Sequence, residues 1–242
     1  MAKIQFNPTT QSKAQYKQFE SLVDSTIKAV KKDKNIGIKE LDNRLKHLHD
    51  IYREAGQPAQ MGKAYKRLAE VLVSLKNDNL ASIVYSFLIK VNKGNEAAIE
   101  GLATNGLKIA KRLHDPIHIM ARAEDLRAIY QHKSNCQDKL LKVLYEQKRA
   151  LGDIVGDYDG AQKRYRTVSK QMQPVEVYEK RLSWIKQKIA EALLEQGGKH
   201  NINQAITELE EARLICAKNE KLTQYIENLD ELIAKAQLME AK

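Results

Sequence analysis

Three short stretches set cations beside an aromatic ring at helical spacing. Lys63, Lys66 and Arg67 surround Tyr65, whose own spacing puts it in an apolar stripe; Lys142 and Arg149 flank Tyr145; Arg181 and Lys188 flank Trp184. Residues three and four apart share a helix face, so within each stretch the charged ends can bear on one ligand. A guanidinium grips a carboxylate through two parallel hydrogen bonds, and an ammonium adds a point charge. Tyr and Trp supply apolar anchors of the kind that concentrate binding energy at protein interfaces. The chemistry these residues point to is non-covalent capture of an acidic segment carrying one or two apolar side chains. A solvated basic face is the competing reading of Lys63, Lys66 and Arg67, and burial between helices that of Trp184.

Covalent and metal chemistry find less support. His114, Asp115 and His118 invite a metal reading, but Pro116 lies between the histidines and no third ligand stands nearby, where closed sites need three or four. Asp153, Asp157 and Asp159 resemble a calcium loop until its closing glutamate is sought; six residues past Gly160 the chain has Arg166. Turn and cap roles explain these aspartates better. A Gly-rich phosphate loop and a nucleophile motif are both missing. Cys136 and Cys216 are 80 residues apart, in no metal or redox spacing, and two lone thiols fit a reducing cytoplasm. The expectation is a protein without enzymatic activity, metal or cofactor.

The elements that must position these residues repeat. Gly156-Asp157 stops one helix, and Ala161, Tyr165 and Val168 then share one face of the next. Forty residues back stand Ala121, Asp125 and Ala128; forty more, Ala81, Tyr85 and Leu88; forty more, Leu41, Leu45 and Leu48; and 44 forward, Ala205, Leu209 and Ala212. Asp125 is the one misfit among the fifteen positions. A fixed period between 20 and 50 residues marks stacked supersecondary units, none of which can bury its apolar face alone. Stops at Lys31–Gly37, Gly56-Gln57-Pro58, Asn77-Asp78-Asn79, Lys93-Gly94-Asn95, Asp115-Pro116 and Gly197-Gly198 divide the chain into helices. The spacing predicts one all-α domain over 1–242, with antiparallel helix pairs at about 8–55, 59–93, 95–132, 135–171 and 174–217 and a capping helix over 220–240. The broad stripe of that last helix suits a cap and a monomer; dimerisation through it is the sharper alternative.

Tyr65, Leu68, Ala69, Ala81, Tyr85 and Leu88 fall on the spacing of tetratricopeptide repeats, and the Gly156–Val168 stretch resembles the turn and second helix of the same repeat. The period here is nearer 40 residues than 34, the proline at the repeat's end is mostly missing, and Asp125 breaks the third unit. The resemblance, to the longer-helix members of the superfamily, implies an α-solenoid wound as a right-handed superhelix, with first helices lining a concave groove. Lys63 and Arg67 resemble part of the carboxylate clamp by which some tetratricopeptide proteins hold acidic C-terminal tails of heat-shock chaperones; the clamp's asparagines have no place on the single pair that precedes.

Lys, Glu, Gln, Ala and Leu dominate, with only 3 Phe, 1 Trp and 4 Pro, which favours helices. No apolar run reaches the roughly 18 residues of a membrane span, and the first residues lack the apolar centre of a secretory signal. The formal net charge is +10, but residues 1–200 carry 36 Lys+Arg against 23 Asp+Glu, while 201–242 carry 5 against 8. The expected function is a cytoplasmic protein-interaction scaffold whose groove docks another protein or a peptide, acidic by charge. Nucleic-acid binding, of RNA in particular, through the basic body is the alternative.

Overall fold

The structure, a computed structural model, describes residues 10–32, 38–54, 59–92, 94–165 and 172–241. Among the described residues the regular elements are helices and no strand occurs: α1 (Thr10–Lys32), α2 (Ile38–Glu54), α3 (Ala59–Ser74), α4 (Asp78–Val91), α5 (Glu96–Arg112), α6 (Pro116–Tyr130), α7 (Gln137–Gly156), α8 (Tyr158–Tyr165), α9 (Val175–Gln196), α10 (Lys199–Ala217) and α11 (Ile226–Glu240). Short 3₁₀ turns precede α7 and α11. The chain divides into two compact units, Met1–Leu113 and His114–Lys242. The division falls within the pair expected at 95–132.

In the first unit α1 packs on α2 and α3, α3 on α4, and α4 on α5. Four rings make its centre: Phe19 lies 6.0 Å from Tyr52 and from Tyr65, and Phe87 lies 4.8 Å from Tyr65. The repeat positions Ala81, Tyr85 and Leu88 are buried, as are Leu45 and Leu48. Asn95 caps α5 by accepting the Ala98 N–H at 3.1 Å. Arg112, at the end of α5, reaches back to Asp78 at the start of α4 through two bonds of 2.8 and 2.6 Å.

In the second unit α6 packs on α7, α7 on α9, α9 on α10, and α10 on α11. Leu144, Leu151, Ile154, Ile189, Leu193 and Leu209 form the dry centre. Buried Ala190 on α9 with Ala205 and Ala212 on α10 leave little side chain between those two helices. Gly197 ends α9 at φ +69°, a left-handed conformation that glycine adopts without a Cβ penalty. Arg213 of α10 holds Asp230 of α11 at 2.5 Å.

The repeat register holds at Ala161, Ala205, Leu209 and Ala212, all buried, but not in α6. There Ala128 is exposed, and Ala123, Leu126, Ile129 and Tyr130 carry the core face instead. Asp125 turns that face: a carboxylate at a core position would be desolvated, so the stripe shifts by one to two residues. The side chains of Leu41 and Tyr165, and all of Val168, lie outside the described residues. Asp157 is a cap, its carboxylate accepting the Gly160 N–H at 3.0 Å. A Cβ on Gly160 would fall on that carboxylate. Asp115 caps α6 by accepting the His118 N–H at 3.1 Å, and His118 Nδ1 lies 2.6 Å from its other oxygen. No cluster of metal-ligating side chains occurs among the described residues.

Overpacking gives one expected outcome. Ala205→Leu inserts a branched side chain where none fits and should destabilise by roughly 1–3 kcal/mol in denaturant unfolding, with Ala205→Ser milder; a leucine variant that unfolds like the parent would show the α9–α10 seam to be loose. A second concerns pH. Hydrogen bonding to Arg112 holds the Asp78 carboxyl below its ordinary value, against the opposing effect of burial. A depressed carboxyl stabilises the fold above its unfolded pKa and loses that contribution as pH falls through the folded one. Asp78→Asn should therefore cost about 0.5 kcal/mol near neutral pH, and the gap to the parent should close on acidification below about pH 3.8. A gap that is constant with pH would refute the assignment.

Candidate functional site

Each unit holds a cleft lined by polar and apolar side chains. In the first unit α3 and α5 form the walls, with Tyr52 of α2 and Leu88 of α4 between them, around about 410 Å³. Lys63 and Lys66 both line it and are both exposed. Opposite them α5 presents Ala97, Ala98, Gly101 and Asn105. Nothing lies within 4 Å of where a Cβ on Gly101 would stand, so this small-residue face is open space. Asn92 is fixed at the end of α4 by a 2.8 Å bond from its Nδ2 to the Leu88 carbonyl, and Asn105 is hydrogen-bonded with Tyr85. Lys66 is 3.8 Å from Glu70, both exposed, which leaves its ammonium solvated.

Arg67 does not join this group. Its guanidinium donates to Asp24 of α1 at 2.5 Å. The expected convergence of Lys63 and Arg67 on one carboxylate is thus replaced by Lys63 with Lys66. The i,i+3 and i,i+4 neighbours of Lys63 are equally close along the helix, and the side-chain partner on α1 selects between them.

The second cleft, about 310 Å³, lies among α6, α7 and α9. Leu151, Ile185 and Met120 make its apolar wall, and the ring of Trp184 stands at its edge, 38% exposed. The Arg127 guanidinium sits 4.8 Å from the centre of that ring, and the Lys188 ammonium 5.8 Å. Lys188 also binds Glu191 at 2.5 Å. Arg181 lines the same cleft, its Nη1 3.7 Å from the Met120 sulfur. Arg127 grips Glu124, which also accepts from Gln147 Nε2 at 2.7 Å. Burial disfavours charge on Glu124, but Arg127 and Gln147 more than offset it and hold the carboxyl below its ordinary range. Asp125 goes the other way: burial pushes its carboxyl up, Arg122 opposes, and Glu124 adds to the rise. Arg122 faces Asp125 at 3.2 Å in poor alignment. Arg122 Nε and Nη1, Asp125 Oδ2 and Gln147 Oε1 are buried without a hydrogen-bond partner among the described residues.

Of the remaining expected positions, Lys142 and Arg149 are exposed on α7, and Tyr145 belongs elsewhere. Its hydroxyl accepts from Gln204 of α10 at 2.6 Å, and Lys148 lies 5.9 Å from its ring. It forms one end of a polar seam in which Lys148 and buried Lys186 share Glu208 at 2.5 and 3.3 Å, with Lys186 also bonded to Glu211. Burial opposes the Lys186 charge, and the two glutamates more than compensate, raising its pKa. Arg122, Glu124, Asp125, Arg127 and Gln147 were not among the expected site residues. One signal pointed there: Asp125, the position that breaks the repeat.

No family model matches the sequence, and no curated protein does. A solved structure titled "Crystal structure of BtubC (BKLC) from P. vanneervenii" is similar at 14% identity over 96% of this chain and 92% of that one, with a TM-score of 0.34; a likeness at that level carries no argument.

Trp184 is the one tryptophan of the chain, so its emission reports this cleft alone. Arg127→Ala removes the guanidinium over the ring and should shift the emission to the red and increase quenching by acrylamide. An unchanged spectrum would mean that Arg127 does not shield the ring.

Proposed function

We propose that the chain is a non-enzymatic protein-interaction module, built of tetratricopeptide-like helix pairs, that docks an acidic peptide or partner segment in the cleft of its first unit. The observation that carries this reading is the placement of Lys63 and Lys66 on one side of about 410 Å³ of open space, with Asn92, Asn105 and Gly101 around it. Two ammonium groups attract carboxylates, the asparagine amides offer donors and acceptors to a peptide backbone, and Leu88 and Leu102 give an apolar floor. Helices hold these residues except Asn92, which caps the end of α4, so a ligand would meet a preformed surface and lose little in ordering it. Both cysteines are buried and unpaired, which supports work in a reducing cytoplasm.

The test starts with capture of partners from source-cell lysate, with and without nuclease. Protein partners that survive nuclease support the reading; loss of all partners would transfer it to nucleic acid, whose binding should fall steeply with salt. Affinity for the captured partner is then compared between Lys63→Glu/Lys66→Glu and Lys76→Glu/Lys90→Glu, an equal charge change at residues that do not line the cleft. At moderate salt, which screens long-range steering, the first pair should weaken binding at least tenfold by placing acid against acid, and the second should change it little. Equal losses would reduce the effect to net charge and defeat the cleft.

A further inference from the structure

The α6–α7–α9 cleft holds chemistry that the interaction reading does not use. Gln147 is 1% exposed, and its Nε2 is committed to the Glu124 carboxylate. A carboxylate only accepts, so the amide orientation is set and its oxygen is the end left without a donor. Arg122 has the opposite need: its buried Nε has no acceptor, and its buried Nη1 has only the misaligned Asp125 carboxylate 3.2 Å away, on a side chain 12% exposed. Charge is uneven as well. Against the carboxylates of Glu124 and Asp125 stand the guanidiniums of Arg122, Arg127 and Arg181; Glu124 is taken by Arg127 and Gln147 and Asp125 faces Arg122, which leaves Arg181 as the excess cation. Arg181 spends one nitrogen on a thioether, a weak acceptor. Around these groups lie Leu151, Ile185, Met120 and Trp184.

We propose that this cleft binds a small organic acid that carries an apolar body and an amide N–H. The carboxylate meets Arg181 and Arg122, the N–H meets Gln147 Oε1, and the apolar body lies against Leu151, Ile185 and Trp184. Arg122 and Gln147 both line the cleft, and the ligand reaches their unpaired atoms through a rotation of the Arg122 side chain, with the Gln147 amide keeping its bond to Glu124. The unmet hydrogen bond at Arg122 Nε lowers the cost of that rotation, because a buried polar group without a partner has lost its water and gained nothing in return. A volume of about 310 Å³ is at the lower end of small-molecule sites, enough for a body of side-chain size. The donor, the acceptor, the excess cation and the apolar wall each correspond to one part of such a molecule. The inference is independent of the first unit's cleft and rests on other residues.

N-acetyl-leucine is the probe. Trp184 emission is titrated with it at constant ionic strength, beside N-acetyl-leucinamide, which lacks the carboxylate, and 4-methylpentanoate, which lacks the amide. N-acetyl-leucine should give a saturable change and raise the melting temperature with concentration, as a ligand of the folded state must. The leucinamide should bind at least tenfold more weakly, and 4-methylpentanoate several-fold more weakly. Arg181→Gln, on the exposed rim, should keep the parent's circular dichroism and lose at least tenfold in affinity, while Lys63→Glu/Lys66→Glu should bind the probe like the parent. A change that stays linear with concentration, or equal curves for the acid and the leucinamide, or full affinity in Arg181→Gln, would overturn the proposal. Equal binding of 4-methylpentanoate would overturn the assignment of the N–H to Gln147.

Discussion

Close approach of helices at buried alanines is the constraint from which the rest of the structure follows. The distance between packed helices is set by the side chains at their contact. Ala69, Ala81, Ala103 and Ala110 in the first unit, and Ala150, Ala190, Ala205 and Ala212 in the second, are at most 1% exposed. With so little side chain between backbones, the large residues beside the alanines must interdigitate: Tyr65 and Phe87 in one unit, Leu151, Ile154 and Ile189 in the other. An interior at crystal-like density has no slack for a misplaced methylene. The positions of the clefts are therefore consequences of which helices the alanines draw together.

The same closeness decides what happens to polar groups caught at a seam. Lys186 and Glu208 are about 95% out of contact with solvent, yet they lie on the α9–α10 contact with the α7 ammonium of Lys148 beside them. Taking such charges out of water costs several kcal/mol per ion, and their attraction about offsets it when the geometry is good. The pair adds little net stability by that account. It does penalise misalignment: sliding α10 along α9 by one residue would separate Glu208 from both ammonium groups and leave buried charge uncompensated. Apolar contacts between the two helices carry no such penalty of uncompensated charge. The seam thus adds a charge-pairing constraint to the register that packing at the alanines sets.

Much of the first unit and of the α9–α10 pair was legible in the sequence because their information is local. Ala81, Tyr85 and Leu88 recur as Ala205, Leu209 and Ala212 at a period that one helix face can read, and all six are buried. What the sequence concealed depends on partners far along the chain. Asp24 takes Arg67 from 43 residues away, and Gln204 takes Tyr145 from 59; no spacing within α3 or α7 announces either. Trp184 shows the same limit. Its place in the apolar pattern of α9 fits both a core and a surface residue, and the choice is made by Arg127 of α6, which covers part of the ring. Side chains were placed on the correct helices, and the tertiary partner chose which way each one points.

Small residues have two opposite effects in this fold, and the difference explains where the clefts are. Where a second helix lies against an alanine or glycine, the missing side chain becomes close contact. Where no helix lies against it, the missing side chain becomes open space. Gly101 with Ala97 and Ala98 on α5 is the second case, and Ala121 on α6 is another. In α6 the two effects are coupled through one residue. A leucine at position 125 would continue the repeat of Ala81, Tyr85 and Leu88. With aspartate there the core face is carried by Ala123, Leu126 and Ile129 instead, and Asp125 lies half-buried beside the cleft with one carboxylate oxygen out of water. The residue that breaks the periodicity is also one that lines the second cleft, so a flaw in a repeat is itself a place to look for a site.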